Sequence, residues 1–136
     1  MVKETLAVAI VWLASIVCAH AGSGPEVHEG LWEITVEVEM PGMPAKMPPS
    51  TFTQCINKDR AIPMDEKPGQ QCKPQDIKSS GNTMTWTMDC ATAGGPMTGK
   101  GMITYHDDQL EGSMSMQSQG MTMTSRYKGH RIGTCE

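Results

Sequence analysis

The chain has little of what usually fills a β-sheet core. Its 136 residues include one Phe, two Tyr and three Trp. In the 115 residues that follow Ala21, Leu, Ile, Val and Phe together number twelve. That is about a tenth, where less than about a fifth accompanies disorder, so other residues must help hold the fold. Basic side chains are outnumbered: 11 Lys and Arg stand against 15 Asp and Glu, for a net charge of -4. A nucleic-acid partner is excluded on that ground, because phosphate binding needs grouped Lys and Arg. No apolar run after Val17 reaches the roughly 20 residues of a membrane span. Catalytic signatures are missing too. There is no Gly-x-Ser-x-Gly elbow and no phosphate-cradling glycine loop. No histidine has an i, i+4 helical partner, and no Cys-x-x-Cys pair offers a zinc site. The expectation is a protein that is not an enzyme, with no catalytic residue and no cofactor.

What is present begins with an export signal. Met1-Val2-Lys3 gives a positive start, Leu6 to Val17 an uncharged apolar run, and Ala19-His20-Ala21 the small-x-small pattern of a cleavage site. Residues 1–21 therefore read as a signal peptide cleaved after Ala21, and 22–136 as one β domain. Cys18 is a poor lipidation site, with Val17 before it and Ser15 three before it. Export places the remaining cysteines, Cys55, Cys72, Cys90 and Cys135, in an oxidising compartment, where an even count reads as two disulfides with three possible pairings. Cys72 and Cys90 lie symmetrically about Gly81, the expected tip of a hairpin. This favours Cys72–Cys90, which leaves Cys55–Cys135 to tie the end of the chain to an early strand.

Alternation with period two dominates the rest. Trp32, Ile34, Val36, Val38 and Met40 share one face of a strand, and Glu33, Thr35, Glu37 and Glu39 the other. Pro41 to Pro49 is too rich in proline for a helix or a central strand. Further strands are expected at Ser50–Ile56, Lys73–Ser80, Thr83–Cys90, Lys100–Tyr105, Leu110–Met116 and Met121–Lys128, with a short tail at Arg131–Cys135. Asn57 to Gln71 is expected to be irregular, opening with one helical turn capped by Asn57 or Asp59. Ala91 to Gly99 reads as a glycine-containing loop. The sum is all-β: an antiparallel meander of seven or eight short strands, stapled by disulfides. It forms a lipocalin-like barrel or a strongly curved sheet, with a two-layer sandwich as the second choice.

Methionine is the anomaly, with twelve left after Met1. Met114, Met116, Met121 and Met123 flank the turn at Gln117–Gly120, and a simple hairpin register puts all four on one surface. Met84 and Met88, with Trp86 between them, and Trp32 complete an apolar face. The bland reading is a pliant core filler replacing Leu and Ile. The second is a surface that receives a hydrophobic small molecule or lipid. The third is a thioether site for copper or silver, and here the exposed run Met40, Met43 and Met47 is the plainest motif. His106 with Asp107 and Asp108 reads as a solvated turn before it reads as a divalent-ion site. Glu33, Glu37 and Glu39 read as a wet strand face. Arg126, Lys128 and Arg131 form a small basic group.

Several segments together carry a resemblance: Gly30-Leu31-Trp32-Glu33, Met40-Pro41-Gly42-Met43-Pro44, Thr53-Gln54-Cys55, Trp86-Thr87-Met88-Asp89-Cys90 and Arg131-Ile132-Gly133-Thr134-Cys135. In this order they resemble a widespread family of small exported bacterial proteins known only as a domain of unknown function. The resemblance implies a Gram-negative periplasmic location and makes the cysteines family features. It implies no activity, ligand or catalytic residue. The functional expectation is a non-enzymatic periplasmic domain that binds a hydrophobic molecule on its Met/Trp face. Soft-metal binding and an envelope interaction module that adds an edge strand to a protein partner are the alternatives.

Overall fold

Seven antiparallel strands curl into an open half-barrel in a computed structural model, which describes residues 25–64 and 69–136. The expected signal peptide and its cleavage point lie outside these residues. The strands are β1 (Gly30–Glu39), β2 (Ser50–Ile56), β3 (Gln71–Ser80), β4 (Thr83–Thr92), β5 (Gly95–His106), β6 (Gln109–Ser118) and β7 (Met121–Gly133). Their order in the sheet is β2-β1-β7-β6-β5-β4-β3. β3 through β7 form a meander of hairpins, and β1 is inserted against β7, with β2 on its far side. The outer edges of β2 and β3 have no strand partner among the described residues.

The alternation in β1 works as its sequence dictates. Trp32, Ile34 and Val36 are buried on the inner face, while Glu37 and Glu39 face water. Directly opposed residues in an antiparallel pair share a face, so the register carries this face across the sheet. Ile34 stands opposite Gly129 of β7, Gly129 opposite Leu110 of β6, and Leu110 opposite Tyr105 of β5. One row further along, Val36, Tyr127, Gly112, Ile103 and Met84 line up in the same way.

Two expectations need correction. The glycine-containing stretch after Cys90 is mostly strand: β4 continues to Thr92, a turn at Ala93-Gly94 follows, and Gly95 already belongs to β5. The Thr92 hydroxyl donates to the Gly95 carbonyl at 2.7 Å and closes that turn. After Ile56 the expected single turn is present, Arg60 donating its N–H to the Asn57 carbonyl at 3.1 Å. Asn57 caps it, accepting at Oδ1 from the backbone N–H groups of Asp59 and Arg60 at 3.0 and 2.9 Å. The tail expected at Arg131 is also the continuation of β7, which runs to Gly133.

Both favoured cysteine pairs are at bonding distance. Cys72 and Cys90 are directly opposed on β3 and β4, with Cα atoms 4.0 Å apart. Cys55 on β2 meets Cys135, with Cα atoms 5.6 Å apart.

Candidate functional site

The inner face divides into two ends of different chemistry. At the end where β1 begins, branched and aromatic side chains are packed: Trp32, Ile34, Ile56, Ile103 and Tyr105 are at most 2% exposed. Two non-strand segments cover this end. In residues 25–29, Pro25 is fully buried and Glu26 donates its N–H to the Gly81 carbonyl at 3.0 Å. The His28 carbonyl accepts from the Trp32 indole N–H at 3.0 Å, and the His28 ring meets Asp108 at 2.9 Å. The second segment, residues 57–64, buries Ala61, Ile62 and Pro63. Gln54 holds it at both ends of its amide, donating to the Ile62 carbonyl and accepting from the Met64 N–H. The Tyr105 hydroxyl donates to the Ala61 carbonyl. Burial pushes the Tyr105 phenol well above its ordinary pKa, because the phenolate would lose its water. The Tyr105 ring meets Trp32 edge-on, with centroids 5.5 Å apart.

This end also carries a cavity of about 440 Å³, lined by Glu26, His28, Lys58, His106 and Asp107 among others. Of its polar groups, the His28 ring is engaged outside the lining, with Asp108 at 2.9 Å. Among the described residues, no group of three His, Cys, Asp or Glu side chains is placed to hold a metal ion.

At the opposite end the inner face is built from methionine. The register aligns Met123 of β7 with Met116 of β6, Met116 with Gly99 of β5, and Gly99 with Met88 of β4. Glu39 pairs with Thr124, so Met40 follows at the edge of this row beside Met123. Met114 lies in the next row, opposite Gly101 and Ser125, and Gly101 is opposite Trp86. Glycine is needed at both β5 positions. A Cβ on Gly101 would stand 2.3 Å from the Trp86 ring, and one on Gly99 would stand 2.3 Å from the Met116 sulfur. The large side chains lie flat across the strand where it has none of its own.

The structure thus brings Trp32, Met84, Trp86, Met88, Met114, Met116, Met121 and Met123 to one face. They are not equivalent there. Trp32, Met84, Trp86, Met88 and Met116 are buried, Met114 and Met123 are half-buried with Met97, and Met121 is 71% exposed at the turn. The Trp86 Nε1 is buried with no hydrogen-bond partner among the described residues. Met43 and Met47 are 54% and 45% exposed in the loop between β1 and β2, and Met40 is half-buried at its start.

The remaining candidates disperse. Glu33 pairs with His130 at 3.9 Å and Glu39 with Arg126 at 3.5 Å across the outer face. Arg131 is drawn away from Arg126 and Lys128, donating from Nε to the Glu29 carbonyl at 2.9 Å. The covering segments are the feature that sequence reasoning missed. Their one signal is the apolar triplet Ala61-Ile62-Pro63 in an otherwise polar stretch.

Among the described residues no helix is long and apolar enough to cross a membrane. No curated protein and no solved structure matches the chain. The family described as Protein of unknown function (DUF3617) matches residues 27–135, and with nearly the whole described domain inside that span, the chain belongs to this family.

Proposed function

We propose that this is an exported, periplasmic, non-enzymatic binding domain, released from its leader after Ala21, whose methionine end receives a hydrophobic small molecule or a lipid chain. One observation carries the reading. The inner face is covered at one end by residues 25–29 and 57–64, while at the other it ends in Met97, Met114 and Met123, half-buried, and Met121, exposed. Unbranched thioether side chains adapt to ligands of irregular shape. Burying apolar ligand surface there contributes on the order of 25 cal/mol per Å². The two disulfides suit an oxidising compartment.

Native mass spectrometry of the protein released gently from the periplasm tests this reading. A co-purifying apolar molecule is the expected result. Its displacement from a Met114→Glu, Met123→Glu variant would locate the site, and a bare polypeptide that also fails to bind a fluorescent fatty-acid probe would end the proposal.

A further inference from the structure

We propose that Met114, Met116 and Met123 form a thioether site for a single soft monovalent ion, copper(I) or silver(I). The donors follow from what else is available. All four cysteines of the described domain are held in disulfides. No group of three His, Cys, Asp or Glu side chains among the described residues can hold a metal. Thioether sulfur is what remains, and it selects soft ions over magnesium or calcium.

The placement follows from the register. Met116 and Met123 are directly opposed on β6 and β7, a relation that sets Cβ atoms about 5 Å apart. Met114 shares their face two residues along β6, about 7 Å away. Rotation about the Cα–Cβ and Cβ–Cγ bonds lets each sulfur reach a point between them. On the other side, Gly99 opposes Met116 and the Met116 sulfur lies over it in the volume a side chain would fill, while the Trp86 ring lies over Gly101, opposite Met114, and walls the site. The site is graded in exposure, Met116 being 4% exposed and Met114 and Met123 half-buried. An ion can enter from solvent and come to rest against a dry wall. The loop run Met40, Met43 and Met47 lacks such a wall, since Met43 and Met47 are in open solvent.

Thioethers carry no proton to lose. A site made of them holds its ion with an affinity that stays flat between about pH 5 and 8, unlike imidazole, thiolate or carboxylate sites, whose ligands must first deprotonate.

The test uses the purified, disulfide-bonded protein labelled with ¹³C at the methionine methyl groups. It is titrated with silver ion in chloride-free buffer and followed by NMR. The expected result is a shift of the Met114, Met116 and Met123 methyl signals that saturates at one equivalent and does not change with pH. The Met43→Leu, Met47→Leu variant retains that response, and the Met114→Leu, Met116→Leu, Met123→Leu variant loses it. No shift in the native protein, or shifts confined to Met43 and Met47, overturns the proposal without reference to any variant. Silver and a fatty-acid probe are titrated separately into the native protein, so binding of one without the other separates this site from the hydrophobic-ligand reading, and a failure of either leaves the other standing.

Discussion

The two ends of the half-barrel solve the same problem with different residues. Where β1 begins, Trp32, Ile34, Ile103 and Tyr105 are sealed under two crossing segments. Where β1 ends, methionine fills the same inner face, Met88 and Met116 buried and Met114 and Met123 half-buried. Branched and aromatic side chains have few rotamers, and they specify a unique packing when every side is occupied. Methionine fills space without demanding a fixed neighbour. The difference teaches that composition tracks enclosure. Rigid residues stand where the chain supplies its own lid, and pliant ones stand where it does not.

That contrast can be broken most directly by truncation. Trp32→Ala should lower unfolding free energy by about 3–5 kcal/mol. Met123→Ala, at a half-buried site, should cost about 1 kcal/mol or less, since the half-exposed side chain has less burial to lose. Urea denaturation of both variants reads the difference, and equal losses would mean that the ends are not distinct. The disulfides offer a second comparison. Cys55–Cys135 closes a separation of 80 residues at the sealed end, and Cys72–Cys90 one of 18 at the methionine end. Loop-closure entropy gives about 4.5 kcal/mol for the first and about 3 kcal/mol for the second. The paired Cys55→Ser, Cys135→Ser variant should therefore melt lower than the paired Cys72→Ser, Cys90→Ser variant.

Gly101→Ala sharpens the account of the methionine end. The added methyl would stand 2.3 Å from the Trp86 ring, and overpacking of this kind costs about 1–3 kcal/mol. A change in Trp fluorescence should accompany the loss of stability. At the sealed end, Tyr105 supplies a test by pH. Its phenol titrates higher in the folded state than its ordinary value of 10.0. Above about pH 10 the unfolded chain releases this proton while the fold retains it, so stability is full below that pH and falls as pH rises past it. The decline attributable to Tyr105 is up to about 1.4 kcal/mol per pH unit. In Tyr105→Phe it should vanish, at a cost of about 1–3 kcal/mol from the Ala61 carbonyl left unpaired. The smallest effect is Met123→Leu, a near volume-conserving exchange that should cost less than Met123→Ala in the same urea denaturation.

Strand positions and the shared methionine face were legible because alternation has a period of two and hairpin symmetry fixes facing residues. Cys72 and Cys90, nine residues either side of Gly81, show how far that symmetry reaches. It failed at Gly95 to Gly99, where glycine lowers strand propensity yet is required beneath Met116. Such a requirement belongs to the neighbouring strand and leaves no local signal. The covers were equally hidden. Residues 25–29 and 57–64 have no periodicity, and their hold on the fold comes from backbone carbonyls that accept from Trp32, Gln54 and Tyr105. Even spacing brought Met114, Met116, Met121 and Met123 together on paper, while the gradient from 4% to 71% exposure depends on which end of the sheet is covered.

The adjacency of β1 and β7 has a temporal consequence. Leu31 pairs with Gly133, so the first of the described strands to leave a ribosome finds its inner neighbour only when the seventh arrives. Hairpins from β3 onward can form as they emerge, since each partner is the next segment. The β1–β2 ribbon has to wait with one flank unsatisfied, in the high-contact-order regime where folding is slow. Completion is thus postponed until β7 has emerged. It also makes the interval before β7 docks the period in which an unpaired β1 is most open to a wrong partner.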